Sequence, residues 1–296
     1  MKGTEQGKGL FFVILSGLLW GIAGCTSKVL LNGGGTPILL IFGRNAFGVA
    51  CLGIFMFFYK KQLFHIDRCD IKPLIVCCIV LFLYSAAYFF SIYFMNVSIA
   101  AVLLYMYPTF VAAASVFIYR ERLSAPIVSA LILTLLGMAL SVNLFTEGLG
   151  RVTVPGFCLS ILAAIGAAGY CIYCKKLSAK YHSFTINFYG LLFVVFAYGV
   201  ITLFSDPAPL SGPELTVTLC AALPYIGGFL TYAIGVKYLR PSIASIFGTT
   251  EALFNVLLGG LLLGEVITGS QILGMVFIIG AIVMLELTTK PRQARS

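Results

Sequence analysis

Apolar residues in this chain fall into ten runs, each long enough to cross a bilayer and separated by short polar or turn-forming breaks. The runs are Leu10 to Leu31, Pro37 to Tyr59, Pro73 to Phe94, Ile99 to Tyr119, Ala125 to Leu144, Val154 to Cys174, Phe184 to Phe204, Leu215 to Val236, Ser242 to Leu263 and Ser270 to Leu287. A bilayer core offers no water to unpaired backbone groups, so each run is expected to be a helix. Breaks such as Asn32-Gly33-Gly34-Gly35 and Asp206-Pro207-Ala208-Pro209 leave no room for a soluble domain between spans.

Two stretches repeat at a constant offset of 144 residues. Ser98-Ile99-Ala100-Ala101 leads to Glu121, then Ser124, and Ser242-Ile243-Ala244-Ser245 leads to Glu265, then Thr268. The chain therefore reads as a duplication, with one five-helix repeat over 10–145 and another over 154–288. Five spans per half is an odd number, so the halves cross the membrane in opposite senses. The expected fold is an all-α integral membrane protein of ten transmembrane helices in two inverted repeats, an architecture suited to alternating access.

Composition agrees. The chain is 60% hydrophobic and 10% charged, with mean hydropathy +1.04, beyond what a soluble core needs. Its net charge of +9 is a topology signal and not a nucleic-acid footprint. With the N-terminus inside, 16 of 19 Lys and Arg fall on the inner side, only Arg151 falls outside, and Lys28 and Arg44 lie within spans. Both termini are expected in the cytoplasm of a cell inner membrane, with lipid head groups as neighbours and no nucleic-acid partner.

The nine cysteines form no disulfide framework: eight lie in spans and Cys69 in an inner loop. Cys171-Ile172-Tyr173-Cys174 has redox spacing but sits on an apolar helix. Ile22-Ala23-Gly24-Cys25 has the form of a lipoprotein cleavage box, yet the apolar run continues past it, and it reads as part of an uncleaved first helix. His65 and His182 occupy separate loops, and no HExxH, GxSxG or P-loop occurs. No enzyme activity, metal or cofactor is expected.

The chemistry lies in the spans. Lys28, Arg44 and Glu251 are the charges away from span ends. A charge at the bilayer centre costs roughly 2.5–3.5 kcal/mol on insertion scales, so such residues face a cavity or a partner. Glu251 lies near the midplane, with Phe247 and Asn255 on its face. It is suited to a substrate amine or to proton exchange, or alternatively to structural pairing with Lys28, Arg44 or backbone donors. Lys28 continues the stripe Gly17, Gly21, Gly24, whose small residues admit another helix closely. It is suited to an anionic group or an outer gate, or alternatively to snorkelling. Tyr84, Tyr88 and Ser91 form one polar stripe, and Tyr105, Pro108 and Thr109 a second. Gly166, Tyr170 and Tyr173 form a third, and Tyr225, Gly228 and Tyr232 a fourth. Mid-membrane Tyr needs a partner for its hydroxyl, so these stripes point to a wet or ligand-bearing space. Pro108 and Pro224 fall mid-span, as hinges or as static kinks.

These residues resemble the EamA-type family of the drug/metabolite transporter superfamily over nearly the whole chain. The resemblance is carried by Leu19-Trp20-Gly21 with a downstream Lys, by Arg44, by Tyr107-Pro108, and by Glu121 and Glu265 closing the matched spans. It implies a ten-helix inverted-repeat fold, a central cavity lined by the first, third, fourth, sixth, eighth and ninth spans, and movement of small organic solutes, often amino acids or related metabolites. Glu251-Ala252 stands where the family often has Glu-Pro, so the ninth span is expected to lack the kink of the fourth.

The expected function is secondary active transport of a small metabolite by alternating access, with export favoured by the resemblance and Glu251 as a candidate proton carrier. The expected substrate-binding residues are Glu251, Asn255, Trp20, Tyr84, Tyr88, Tyr105, Tyr107, Tyr170, Tyr225 and Tyr232. Lys28, Arg44, Pro108 and Pro224 are expected in gating or as charge partners. A passive pore is the alternative, and an intramembrane receptor or enzyme a third. A ten-helix chain closes its own cavity, so a monomer is expected.

Overall fold

A computed structural model describes residues 2–32, 37–144, 152–205 and 209–289. Arg151, Gly33 to Gly35 and Asp206 to Ala208, all used above, lie outside the described residues. Twelve α-helices make the ten crossings. They are α1 (Lys2–Asn32), α2 (Pro37–Tyr59), α3 (Ile71–Phe94), α4 (Val97–Leu104), α5 (Tyr107–Ile118) and α6 (Ala125–Ser141). The second half has α7 (Val154–Ser178), α8 (Ser183–Ser205), α9 (Gly212–Tyr238), α10 (Pro241–Gly248), α11 (Thr250–Leu263) and α12 (Gly269–Thr289). Among the described residues there is no strand.

Local chemistry sets the ends. Asn96 accepts from the Ser98 N–H at 2.9 Å and starts α4. Thr153 accepts from the Gly156 N–H at 3.2 Å and starts α7. Ser211 and Glu214 form a capping box at α9. Gly264, at φ 67°, ends α11 in the left-handed region that a side chain would strain.

Helix pairing follows the duplication. With the 144-residue offset, α1 matches α7 and α9 matches α3; α1 packs along α9, and α7 along α3. The two-fold relation also pairs α6 with α12 and α2 with α8. Gly137 and Gly274 let α6 and α12 meet backbone to backbone: a Cβ at either would lie 2.6–2.8 Å from the other's carbonyl oxygen. The lateral surface is apolar, with Phe58, Phe117, Leu203 and Leu261 each about four-fifths exposed, as lipid contact requires.

The fourth and ninth crossings are both broken. The fourth divides at Tyr105-Met106 and the ninth at Thr249. Tyr105 (φ −69°, ψ 1°) and Thr249 (φ −69°, ψ −6°) are matched by the offset and share one backbone conformation. The expected asymmetry is therefore corrected: the ninth span breaks without a proline. The Thr249 and Thr250 hydroxyls bond back to the carbonyls of Ile246 (2.6 Å) and Phe247 (2.8 Å), supplying local bonds that favour a turn over a continuous helix. Pro224, in contrast, lies inside an α9 that runs unbroken from Gly212 to Tyr238. Pro108 sits in the first turn of α5, where a missing N–H costs little.

Candidate functional site

Two adjoining cavities occupy the centre. The larger, of about 660 Å³, opens at the end of the bundle opposite the Lys- and Arg-rich loops; Lys28, Val97, Ser98, Asn143 and Glu265 surround its mouth. Its floor holds Arg44, Tyr84, Tyr88, Tyr105, Tyr225, Glu251 and Asn255. A smaller annex shares Trp20, Tyr84, Tyr105 and Glu251 with it and adds Tyr107, Tyr170, Phe229 and Tyr232. The ten residues expected to bind substrate, together with Lys28 and Arg44, thus line one connected space. Pro108, Pro224, Thr109 and Tyr173 are not on its walls.

The glycine stripe of α1 builds one wall. A Cβ on Gly21 would stand 2.8 Å from Phe254 Cβ, and one on Gly17 would stand 2.9 Å from the Glu251 backbone nitrogen. Asn255 Oδ1 fills the space that a side chain on Gly24 would take. α1 thereby lies directly against the half-helix α11 and fixes Glu251 in its first turn. Gly228 does the same for the indole, since a Cβ there would coincide with the Trp20 ring.

The annex is an aromatic box. Trp20 meets Phe229 edge-on with centroids 5.1 Å apart and leans on Tyr232 at 5.4 Å; Tyr170 stacks on Tyr232 at 6.2 Å. The Tyr170 hydroxyl donates to the buried Asn187 Oδ1 at 2.8 Å, and the Tyr107 hydroxyl to the Ser245 carbonyl at 2.8 Å. Trp20 Nε1 is buried without a hydrogen-bond partner among the described residues.

Charge in the large cavity is split between two unbridged groups. The Arg44 guanidinium lies over the Tyr225 ring, 3.8 Å from its centroid, and Nη1 donates to Ser27 Oγ at 3.3 Å. Its Nε is buried and unpartnered. Among the described residues the Glu251 carboxylate makes no hydrogen bond and no direct ion pair, and the Arg44 charge acts on it only through space. Lys28 instead binds Glu265, with Nζ 2.9 Å from Oε2 and 3.1 Å from Oε1. The cavity therefore presents an unbridged carboxyl group and a stacked cation, with hydroxyls and rings between them. No cluster of three or more His, Cys, Asp or Glu suited to a metal occurs among the described residues.

Ser27, Ser85, Ser98, Phe229 and Gln271 also line this space, and the sequence reading did not place them there. Ser27 was legible in principle: it precedes Lys28 and lies one turn from Gly24.

The opposite end of the cavity is shut. Ser242 Oγ donates to Glu121 Oε2 at 2.5 Å. Lys175 Nζ caps α9 by donating to the carbonyls of Val236, Lys237 and Leu239 at 2.7–2.9 Å.

The sequence profile of the EamA-like transporter family matches residues 7–143 and 154–287. An uncharacterized inner membrane transporter of Salmonella typhimurium, YicL, is 25% identical, covering 98% of this chain and 98% of its own. The pseudopaline exporter CntI of Pseudomonas aeruginosa is 27% identical over 85% of this chain and 86% of its own. A solved crystal structure superposes with TM-score 0.86 at 16% identity, covering 97% of this chain and 99% of the other, which shows a shared fold.

Proposed function

Since the chain belongs to the EamA-like transporter family, we propose that it carries a small amino-acid-type zwitterion across the cytoplasmic membrane by alternating access. The observation that carries this reading is the unbridged pair in one cavity: Glu251 without a hydrogen bond or direct ion pair among the described residues, and Arg44 held flat on Tyr225. A substrate ammonium neutralises the first and a substrate carboxylate the second, so that both charges are paired only when the solute is bound. The aromatic annex beside Glu251 accommodates an apolar or planar side group.

The duplicated, inverted halves and the matched breaks at Tyr105 and Thr249 support alternating access about a fixed midplane site. The Lys- and Arg-rich loops support a closed end in the cytoplasm and an open mouth on the outside. A relative named as an exporter supports outward movement. In this reading Glu251 also takes up and releases the coupling proton, because it faces a cavity and makes no direct ion pair among the described residues.

Flux into proteoliposomes tests the reading. Saturable flux, accelerated by unlabelled solute on the far side, is the expected result. Flux that rises linearly without saturation is the mark of a pore and contradicts the carrier. Glu251→Gln is expected to abolish the dependence on a pH gradient; equal dependence in mutant and parent removes the coupling role.

A further inference from the structure

The matched half-helices at the two ends are not in the same state. All eight residues of α10 are buried, and α10 packs against α5, whose following loop carries Glu121. In α4, its counterpart, only Ile99, Ala100 and Leu104 are buried; Val97 is 55% exposed, and Ser98 and Ala101 line the open cavity. α4 and α11, the counterparts of α10 and α5, face each other across that cavity without comparable packing.

The polar ends differ in the same way. At the closed end Ser242 donates to Glu121. The 144-residue offset maps this pair onto Ser98 and Glu265. At the open end these two are not bonded. The Ser98 hydroxyl has no partner among the described residues, and both Glu265 oxygens are taken by Lys28. Lys28 has no counterpart in the other half, where the offset places Ile172.

We infer that Glu121–Ser242 and Glu265–Ser98 are alternate latches, one for each face, and that Lys28 holds the outer mouth open by occupying Glu265. Closing the mouth brings α4 onto α11 as α10 now lies on α5, and Glu265 passes from Lys28 to Ser98. Opening the other face releases Ser242 from Glu121. A duplicated fold offers two such packings of similar energy, so a single charge-assisted hydrogen bond is enough to tip the balance. The inference rests on the alternating-access reading and adds to it the residues that set which face is open.

The two partners of the Lys28–Glu265 bridge provide the test, because their substitutions have equal effects if the bridge is only a brace and unequal effects if Glu265 also closes the latch. Spin labels at Val97→Cys and Val266→Cys report the width of the mouth by pulsed electron resonance in nanodiscs, in a background with Cys51, Cys69, Cys158 and Cys220 replaced by Ser. Lys28→Met frees Glu265 and is expected to raise the share of the short distance by about tenfold, the weight of one charge-assisted hydrogen bond. Glu121→Gln is expected to raise it too. Glu265→Gln removes the outer latch together with the bridge that opposes it, and is expected to leave a smaller share of the short distance than Lys28→Met does. Ser98→Ala is expected to lower the share below that of the parent; this variant removes one hydroxyl at the cavity wall and leaves the Lys28–Glu265 bridge intact. Equal shares in Lys28→Met and Glu265→Gln, with Ser98→Ala unchanged from the parent, would make the bridge a brace and overturn the latch while alternating access stands. One unchanging distance in every variant, with transport retained, would overturn both.

Discussion

Tyr105 and Thr249, 144 residues apart, adopt the same non-helical turn and divide the fourth and ninth crossings at equivalent points. One break is followed by Pro108 and the other by Ala252, so the break belongs to the fold and not to a single residue type. Both place a half-helix N-terminus at the cavity, α5 at Tyr107 and α11 at Thr250. Glu251 occupies the first turn of α11, where the positive end of the helix dipole favours a carboxylate.

Arg44 works through its plane as well as its charge. Replacing it with Lys keeps the charge but loses the stack on Tyr225 and the geometry of the bond to Ser27. Arg44→Lys is expected to weaken substrate binding about tenfold, and Arg44→Gln more. Calorimetric titration of the purified variants checks the order; equal affinities in Arg44→Lys and parent would contradict it.

The close approach of α1 to α11 predicts a stability effect that arises from packing and not from charge. Gly21→Leu places a side chain where Phe254 already stands. Overpacking of this kind costs about 1–3 kcal/mol, and the melting temperature of detergent-solubilised protein is expected to fall. Gly7, with nothing near its would-be Cβ, serves as control: Gly7→Ala is expected to leave melting unchanged.

Much of this arrangement is legible in the sequence because a bilayer demands continuous apolar helices, so most span ends fell within a few residues of the observed ones. The Gly17, Gly21, Gly24 spacing announced a close helix contact, and the Tyr stripes announced a shared space. The break at Thr249 was hidden, because it depends on hydroxyls bonding back to carbonyls at Ile246 and Phe247 and carries no proline. The partner of Lys28 was hidden for another reason: Lys28 and Glu265 lie 237 residues apart, and only tertiary packing joins them.

Tyr170 anchors the annex through Asn187. Tyr170→Phe leaves the buried Asn187 Oδ1 without its donor, a loss of about 1–3 kcal/mol. A lower melting temperature with retained helicity is the expected outcome, read by circular dichroism.

At the basic end, Lys180 joins Asp67 and Asp70, with Nζ 2.5 Å and 2.6 Å from their carboxylates, and the Tyr181 hydroxyl donates to Asp70 at 2.6 Å. Hydrogen bonds from Lys180 hold both carboxyls below their ordinary value of 3.8, and Lys180 is raised above 10.5 by the same bonds. A lowered carboxyl stabilises the fold above its ordinary value and loses that contribution as pH falls through the lowered one. A raised ammonium contributes below 10.5 and loses that contribution as pH rises past its raised value. The melting difference between parent and Lys180→Met is therefore expected at neutral pH and should fade only as pH falls below 3.8, through the lowered carboxyl values. A difference that persists unchanged at acid pH would contradict the assignment.

The central claim is that Glu251 and Arg44 read the two charges of a zwitterion. Thermal stabilisation of the purified protein tests it, since a ligand that binds only the folded state raises the melting temperature. The panel pairs amino acids with their decarboxylated amines and deaminated acids, measured against parent, Glu251→Gln and Arg44→Gln. The account predicts an intact amino acid that stabilises the parent more than either fragment does and loses its effect in both variants. Stabilisation by a fragment as strong as by the parent compound, unaffected by either substitution, would contradict it.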